Sequence, residues 1–201
     1  MSSSLFTFSD ELERWLRSDD PKTLGALGGV FEERSFAVAI ILLMFLPALP
    51  IPTGGLTHVF EAITVLLAAQ MVLGRTTIWL PARWQRRELG ATTTEKAIPF
   101  IVRRIRQVER FSRPRGQWLF DRRMTLRLLG LVLIVFAVAA ALAPPFSGLD
   151  TLPALGAVTV ALSIILRDVV VLAVGVVFGI AGIALIVTIG AALARLLRQL
   201  V

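Results

Sequence analysis

Cysteine is absent from the 201-residue chain. Disulfides and thiolate metal sites are therefore excluded, and the redox compartment leaves no mark. Histidine occurs once, as His58, which rules out every two-histidine metal or catalytic motif. No phosphate-cradling Gly-x-x-x-x-Gly-Lys-[Ser/Thr], no Gly-x-Ser-x-Gly elbow and no acidic pair at metal-ligand spacing is present. These absences argue against an enzyme, so no catalytic residue, metal or cofactor is expected. Residues 1–34 are polar and acidic, without a basic segment leading at once into an apolar one, so no cleavable signal peptide is expected.

What is abundant is apolar. Hydrophobic residues make up 56% of the chain and mean hydropathy is +0.77, too apolar for a soluble domain of this size. They come in unbroken runs rather than a one-sided helical stripe, which marks a bilayer protein rather than a buried core. The expectation is an all-α integral membrane protein with three to five membrane segments. Charge is distributed unevenly. Residues 1–34 hold seven acidic and four basic side chains, whereas 82–127 hold thirteen basic and four acidic. So basic a loop between spans is held on the cytoplasmic side. It answers to anionic headgroups rather than to nucleic acid.

In chain order, residues 1–34 read as an amphipathic N-terminal arm. Ser9, Asp10 and Glu11 open a short helix whose Leu12, Trp15 and Leu16 share one face. A second short helix is expected from Lys22 to Arg34. The membrane domain, 35–201, divides into repeat one (35–81), the basic linker (82–127), repeat two (128–168) and a last transmembrane helix (169–198). Repeat one opens on an apolar helix from Phe36 to Pro47, and Leu56 to Leu73 is its second stretch. In the linker, Ile98, Ile101, Ile105 and Val108 recur at helical spacing, 109–115 forms a proline-broken turn, and Trp118 and Phe120 read as interfacial anchors. In the last helix, Gly175, Gly179 and Gly182 allow close helix approach, inside the protein or in a homodimer.

The two repeats share a pattern of span, proline break, glycine turn, interrupted apolar hairpin and arginine. Pro50, Pro52 and Gly54 in the first match Pro144, Pro145 and Gly148 in the second, and each copy ends at an arginine, Arg75 or Arg167. Paired broken segments point to a site at the membrane midplane, because irregular backbone at that depth must be buried in protein or line a cavity. Two topologies follow. If all five apolar stretches cross, the N-terminus is cytoplasmic. If 56–73 and 149–166 are re-entrant, three helices cross, the repeats are inverted and the acidic arm lies outside. The candidate binding residues are Glu61, Gln70, Arg75, Arg167, Asp168 and His58. Ionisable groups in apolar segments cost about 2.5–3.5 kcal/mol each on insertion scales and tend to pair or mark a path. Two arginines suit an anionic group, and Glu61 with His58 suits proton relay.

Several motifs stand in a distinctive order: Leu46-Pro47-x-x-Pro50-x-Pro52, then Gln70, then Gly74-Arg75-x-x-x-Trp79-Leu80-Pro81. Glu109-x-x-x-Arg113-Pro114-Arg115, Thr151-Leu152-Pro153-Ala154 and Leu166-Arg167-Asp168 follow. This order resembles the ExoD family of bacterial membrane proteins over nearly the whole chain. The family tends to have Asn before the second Leu-Pro, where this chain has Leu149-Asp150-Thr151, and Gly after Arg-Asp, where it has Val169. The resemblance implies a multi-pass protein of the bacterial inner membrane linked to exopolysaccharide synthesis. It brings no established reaction or catalytic residues. The expected function is a small transporter or flippase-like protein for an anionic substrate or ion. A membrane scaffold for polysaccharide-synthesis proteins is the alternative. A homodimer is expected, because two hundred residues make a thin pathway.

Overall fold

The structure is a computed structural model that describes residues 8–19, 21–23, 34–49, 56–75, 77–79, 99, 103, 106–107, 116–144 and 147–200. The breaks at Pro50, Pro52, Gly54 and Pro145 lie outside these residues, as do the linker periodicity, the 109–115 turn and most of the second arm helix. The described fold is all-helical: α1 (Phe8–Arg17), α2 (Ser35–Met44), α3 (Leu56–Val72), α4 (Gln117–Phe120), α5 (Arg123–Ala141), α6 (Thr151–Leu166) and α7 (Val169–Leu200).

The arm helix α1 buries Trp15, with Leu16 packed partly against the same core. Lys22 closes its end. Its ammonium donates to the Trp15 and Ser18 carbonyls and lies 4.8 Å from the centre of the Trp15 ring, placing a cation at the negative pole of the helix. The first apolar helix, α2, stops at Met44, earlier than the expected Pro47, and gives way to a turn over 45–49. Pro47 has no N–H to continue the ladder.

Two hairpins, α2–α3 and α5–α6, build the core. Each first helix lies on the second helix of the other hairpin, α2 on α6 and α5 on α3, and α2–α3 and α5–α6 also touch directly. Phe36, Ile40, Met44, Leu133, Phe136 and Val160 fill the centre. The α6–α7 contact is the most extensive, and glycine sets its closeness. A Cβ at Gly156 would stand 2.6 Å from the Gly179 nitrogen, and one at Gly182 would stand 2.4 Å from Cδ of Pro153. The small-residue face of α7 is thus used within the chain. Phe136 of α5 takes the remaining space over Gly179.

Contacts define two ends. At the end nearest the linker, Gly74 lies against the Arg127 side chain and Gly116 against Val169. Arg167 pairs with Asp121 at 3.0 Å, and Glu13 of α1 pairs with Arg106 at 3.0 Å. The described turn residues, 45–49, 142–144 and 147–150, lie toward the opposite end. Both hairpins therefore leave the linker end and return to it.

Two helices, Arg123–Ala141 and Val169–Ala192, are long and apolar enough to cross a membrane. Their outward faces carry Leu131, Val135 and Leu142 on or just after α5, and Val170, Val174, Val177 and Ile180 on α7, all exposed. So large an apolar surface fits lipid rather than water. The 16 residues of α6 and 17 of α3 extend roughly 24–26 Å, near but below the roughly 30 Å of a hydrocarbon core. Trp118 is exposed at the linker end, as an interfacial anchor should be, but Phe120 is buried. Its place in α4 turns it into the core rather than toward headgroups.

Candidate functional site

The buried face of α3 changes character along its length. Thr57, Glu61 and Thr64 fall at i, i+4 and i+7, then Ala68 and Met71 continue the row, and all five are buried. The half of the helix nearer the turn end is thus polar inside, and the half nearer the linker is apolar. Glu61 is fully buried. Its Oε2 lies 2.7 Å from Nδ1 of His58, one turn earlier, and His58 is 38% exposed. The other carboxylate oxygen, Oε1, has no hydrogen-bond partner, and neither has the Thr64 hydroxyl, also fully buried. Residues three apart on a helix share a face, so the free oxygen and the free hydroxyl sit on one side of α3. Asp150, which precedes α6, is close enough to act on Glu61 electrostatically. Next to it the Thr151 hydroxyl is also buried without a partner.

Two hydroxyls within α6 are satisfied locally. Thr159 donates to the Leu155 carbonyl at 2.7 Å and Ser163 to the Val160 carbonyl at 2.6 Å, the usual back-bonding of hydroxyls in apolar helices. Among the described residues no group of three His, Cys, Asp or Glu side chains converges. The chemistry on offer around Glu61 is that of one carboxylate, a hydroxyl on the same side of the helix and a partly exposed imidazole one turn earlier.

Gln70, a second sequence candidate, is occupied by the backbone. Its Oε1 accepts from the Trp79 N–H at 2.7 Å, which clamps the chain leaving α3. The helix ends two residues beyond Gln70, at Val72. Gly74, at φ 78°, donates to the Met71 carbonyl and Arg75 donates to that of Gln70, the paired bonds of a Schellman cap. Arg75 itself is exposed.

Repeat two closes with the same device but a different residue. Arg167 takes the left-handed position at φ 52°, and Asp168 donates back to the Ser163 carbonyl at 3.2 Å. By backbone role, Arg167 corresponds to Gly74 and Asp168 to Arg75. The two arginines that end the repeats in sequence are therefore one position out of step. Both still lie at the linker end, where Arg167 meets Asp121. Asp168 is buried, and its Oδ1 accepts from the Val170 N–H at 2.8 Å, capping α7.

The six candidates thus separate. His58 and Glu61 come together on α3, toward the turn end. Gln70, Arg75, Arg167 and Asp168 gather at the linker end, where Gln70 and Asp168 hold backbone N–H groups. Of the named breaks, Pro144 accepts from the Ser147 hydroxyl through its carbonyl, and Gly148 turns at φ 68°. Sequence reasoning missed Thr64, although its spacing from Glu61 signalled a shared face. It also missed Asp150 and Asp121, which nothing local distinguishes from ordinary loop carboxylates.

Comparison with known proteins agrees with the motif order. An uncharacterized protein of Synechocystis sp. (strain ATCC 27184 / PCC 6803 / Kazusa) is 26% identical over 150 residues, 73% of this chain and 70% of that protein. Protein ExoD of Rhizobium meliloti (strain 1021) is 30% identical over 145 residues, 68% of this chain but only 57% of its own length. No solved structure matches. The family profile described as "Exopolysaccharide synthesis, ExoD" matches residues 8–188, from the arm helix well into α7, and on that extent the chain belongs to the ExoD family.

Proposed function

We propose that this protein is a small multi-pass carrier of the bacterial inner membrane, serving exopolysaccharide production as a transporter or flippase-like protein for an anionic substrate or ion. Glu61 carries this reading. An unpaired carboxylate oxygen buried in an apolar bundle is expensive, and a protein that only anchors partners has no need of it. In a carrier it has a use, because a group that gains and loses a charge partner can couple ion movement to a change of state.

On this reading the linker end is cytoplasmic, since thirteen basic residues in 82–127 favour that side. Arg75, Arg122, Arg123 and Arg127, all exposed there, collect anionic headgroups. The two hairpins are repeats in the same direction rather than inverted ones, both leaving and regaining the cytoplasmic side. No chemical reaction is assigned to the protein. A scaffold is the second reading. The Glu13–Arg106 ion pair favours it, because it joins the acidic arm to the basic linker in one surface a partner could read.

Flipping of fluorescent phosphatidylglycerol in proteoliposomes, followed by dithionite quenching, tests the proposal. The wild-type protein should speed flipping above empty vesicles, and Glu61→Gln should lose at least about tenfold, the scale of one buried charge-assisted interaction. Equal rates for wild type and Glu61→Gln would favour the scaffold.

A further inference from the structure

We propose that Glu61 and Thr64 form a binding site for a small monovalent cation, a proton or Na⁺, reached from the turn end of the bundle past His58. The inference rests on the carrier reading and names the coupling ion of that site.

Both side chains are fully buried. Glu61 Oε1 and Thr64 Oγ1 lack partners and face the same side of α3. Two buried oxygens left open on one side of the same helix form half of a ligand set. A carboxylate and a hydroxyl offer hard oxygen donors with a single negative charge, which matches a monovalent ion and is too little charge for a divalent one. A proton satisfies the same chemistry by turning the carboxylate into a donor toward the hydroxyl.

The other charges near Glu61 fit this use. On its own helix His58 is partly exposed and bonded to Oε2 at 2.7 Å, so the occupied oxygen faces the exposed imidazole and the free one is buried. Asp150, beside the start of α6, adds a second negative charge within electrostatic range and favours any cation. α2 contains no charged residue (Ser35–Met44). The cations of α5, Arg123 and Arg127, lie at the far end, where Arg127 touches Gly74. The linker end therefore gathers cations and the turn end is acidic inside. That asymmetry would draw a cation to Glu61 from the side opposite the linker.

Infrared difference spectroscopy on the purified, detergent-solubilised full chain tests binding without any transport assay. The probes are NaCl against choline chloride at fixed pH, and acid against alkaline pH without sodium. If Na⁺ is the ion, a carboxylate band shifts on sodium addition. If it is a proton, a protonated carboxyl band appears on acidification. In either case the band disappears in Glu61→Gln. Thr64→Val should raise the sodium midpoint about tenfold, as for loss of one ligand, while Thr64→Ser keeps it. For a proton, Val should shift the carboxyl band and Ser should restore it. Far-ultraviolet circular dichroism confirms that each variant is folded. A wild-type spectrum that responds to neither probe overturns the proposal, as does a response that persists in Glu61→Gln. If the band behaves as stated but the lipid does not flip, the site survives and the carrier reading fails.

Discussion

At the scale of single residues, the clearest tension in the molecule is at Arg167. An L side chain held at φ 52° costs roughly 1–2 kcal/mol relative to a residue at ease there. Its partner at 3.0 Å, Asp121, is more than half exposed, so that ion pair returns at most about 1 kcal/mol. Repeat one uses glycine at the matching position, Gly74, and has no such strain. Replacing Arg167 by Gly should therefore leave the protein as stable as the wild type or slightly more so. Arg167→Ala keeps the strained conformation and loses the ion pair, and should fall about 1 kcal/mol below Arg167→Gly. Thermal unfolding of the two variants in the same detergent measures the difference. Equal stability for Ala and Gly would show that the left-handed position does not govern the choice. Sequence inspection singled out Arg167 for its charge, but its conformation is set by the end of α6, which no residue count reveals.

At the scale of elements, α6 and α7 depend on missing side chains. Gly156, Gly175, Gly179 and Gly182 let backbones meet where any Cβ would collide with backbone or with Phe136 or Pro153. The fully buried Ala154, Ala157 and Ala161 on α6 continue that small surface. Without a hydrophobic drive between helices in lipid, such close packing holds the pair together. Gly156→Ala meets the backbone of Gly179, which cannot rotate away, and should cost about 1–3 kcal/mol as overpacking. Gly190→Ala, with open space around it, should cost nothing and even gain a few tenths of a kcal/mol in helix propensity. Urea or thermal unfolding in detergent distinguishes the two. The glycine spacing on α7 was legible as a packing face. Its partner was not, because a homodimer and an internal helix ask for the same small residues.

At the scale of the whole molecule, the contacts at the linker end bear on topology. Glu13–Arg106, Gly74–Arg127 and Arg167–Asp121 bring the arm, both helix ends and the linker together. That arrangement puts the arm on the same side as the linker, against the inverted plan, which puts the two on opposite sides. Single cysteines check it, since the chain has none to remove. Asp19→Cys and Arg122→Cys should react with an impermeant maleimide only after the cytoplasmic face is opened. Ser147→Cys should react in intact cells. Labelling of Asp19→Cys and Ser147→Cys from one side would restore the inverted, re-entrant arrangement.

Much of the protein was decided by its sequence alone. Apolar runs with few charges determine helix class and two helices fit to cross a membrane, because lipid leaves the backbone no other partner. The order of Gly-Arg-x-x-x-Trp-Leu-Pro and Leu-Arg-Asp determines the family. Tertiary structure decided which polar groups are spoken for. Gln70 and Asp168 hold backbone N–H groups, and Arg75 and Arg167 lie at one end of the bundle. Glu61 and Thr64 keep free oxygens buried toward the opposite, turn end. A sequence lists donors and acceptors, but whether each finds a partner depends on what packs against it across the hairpins.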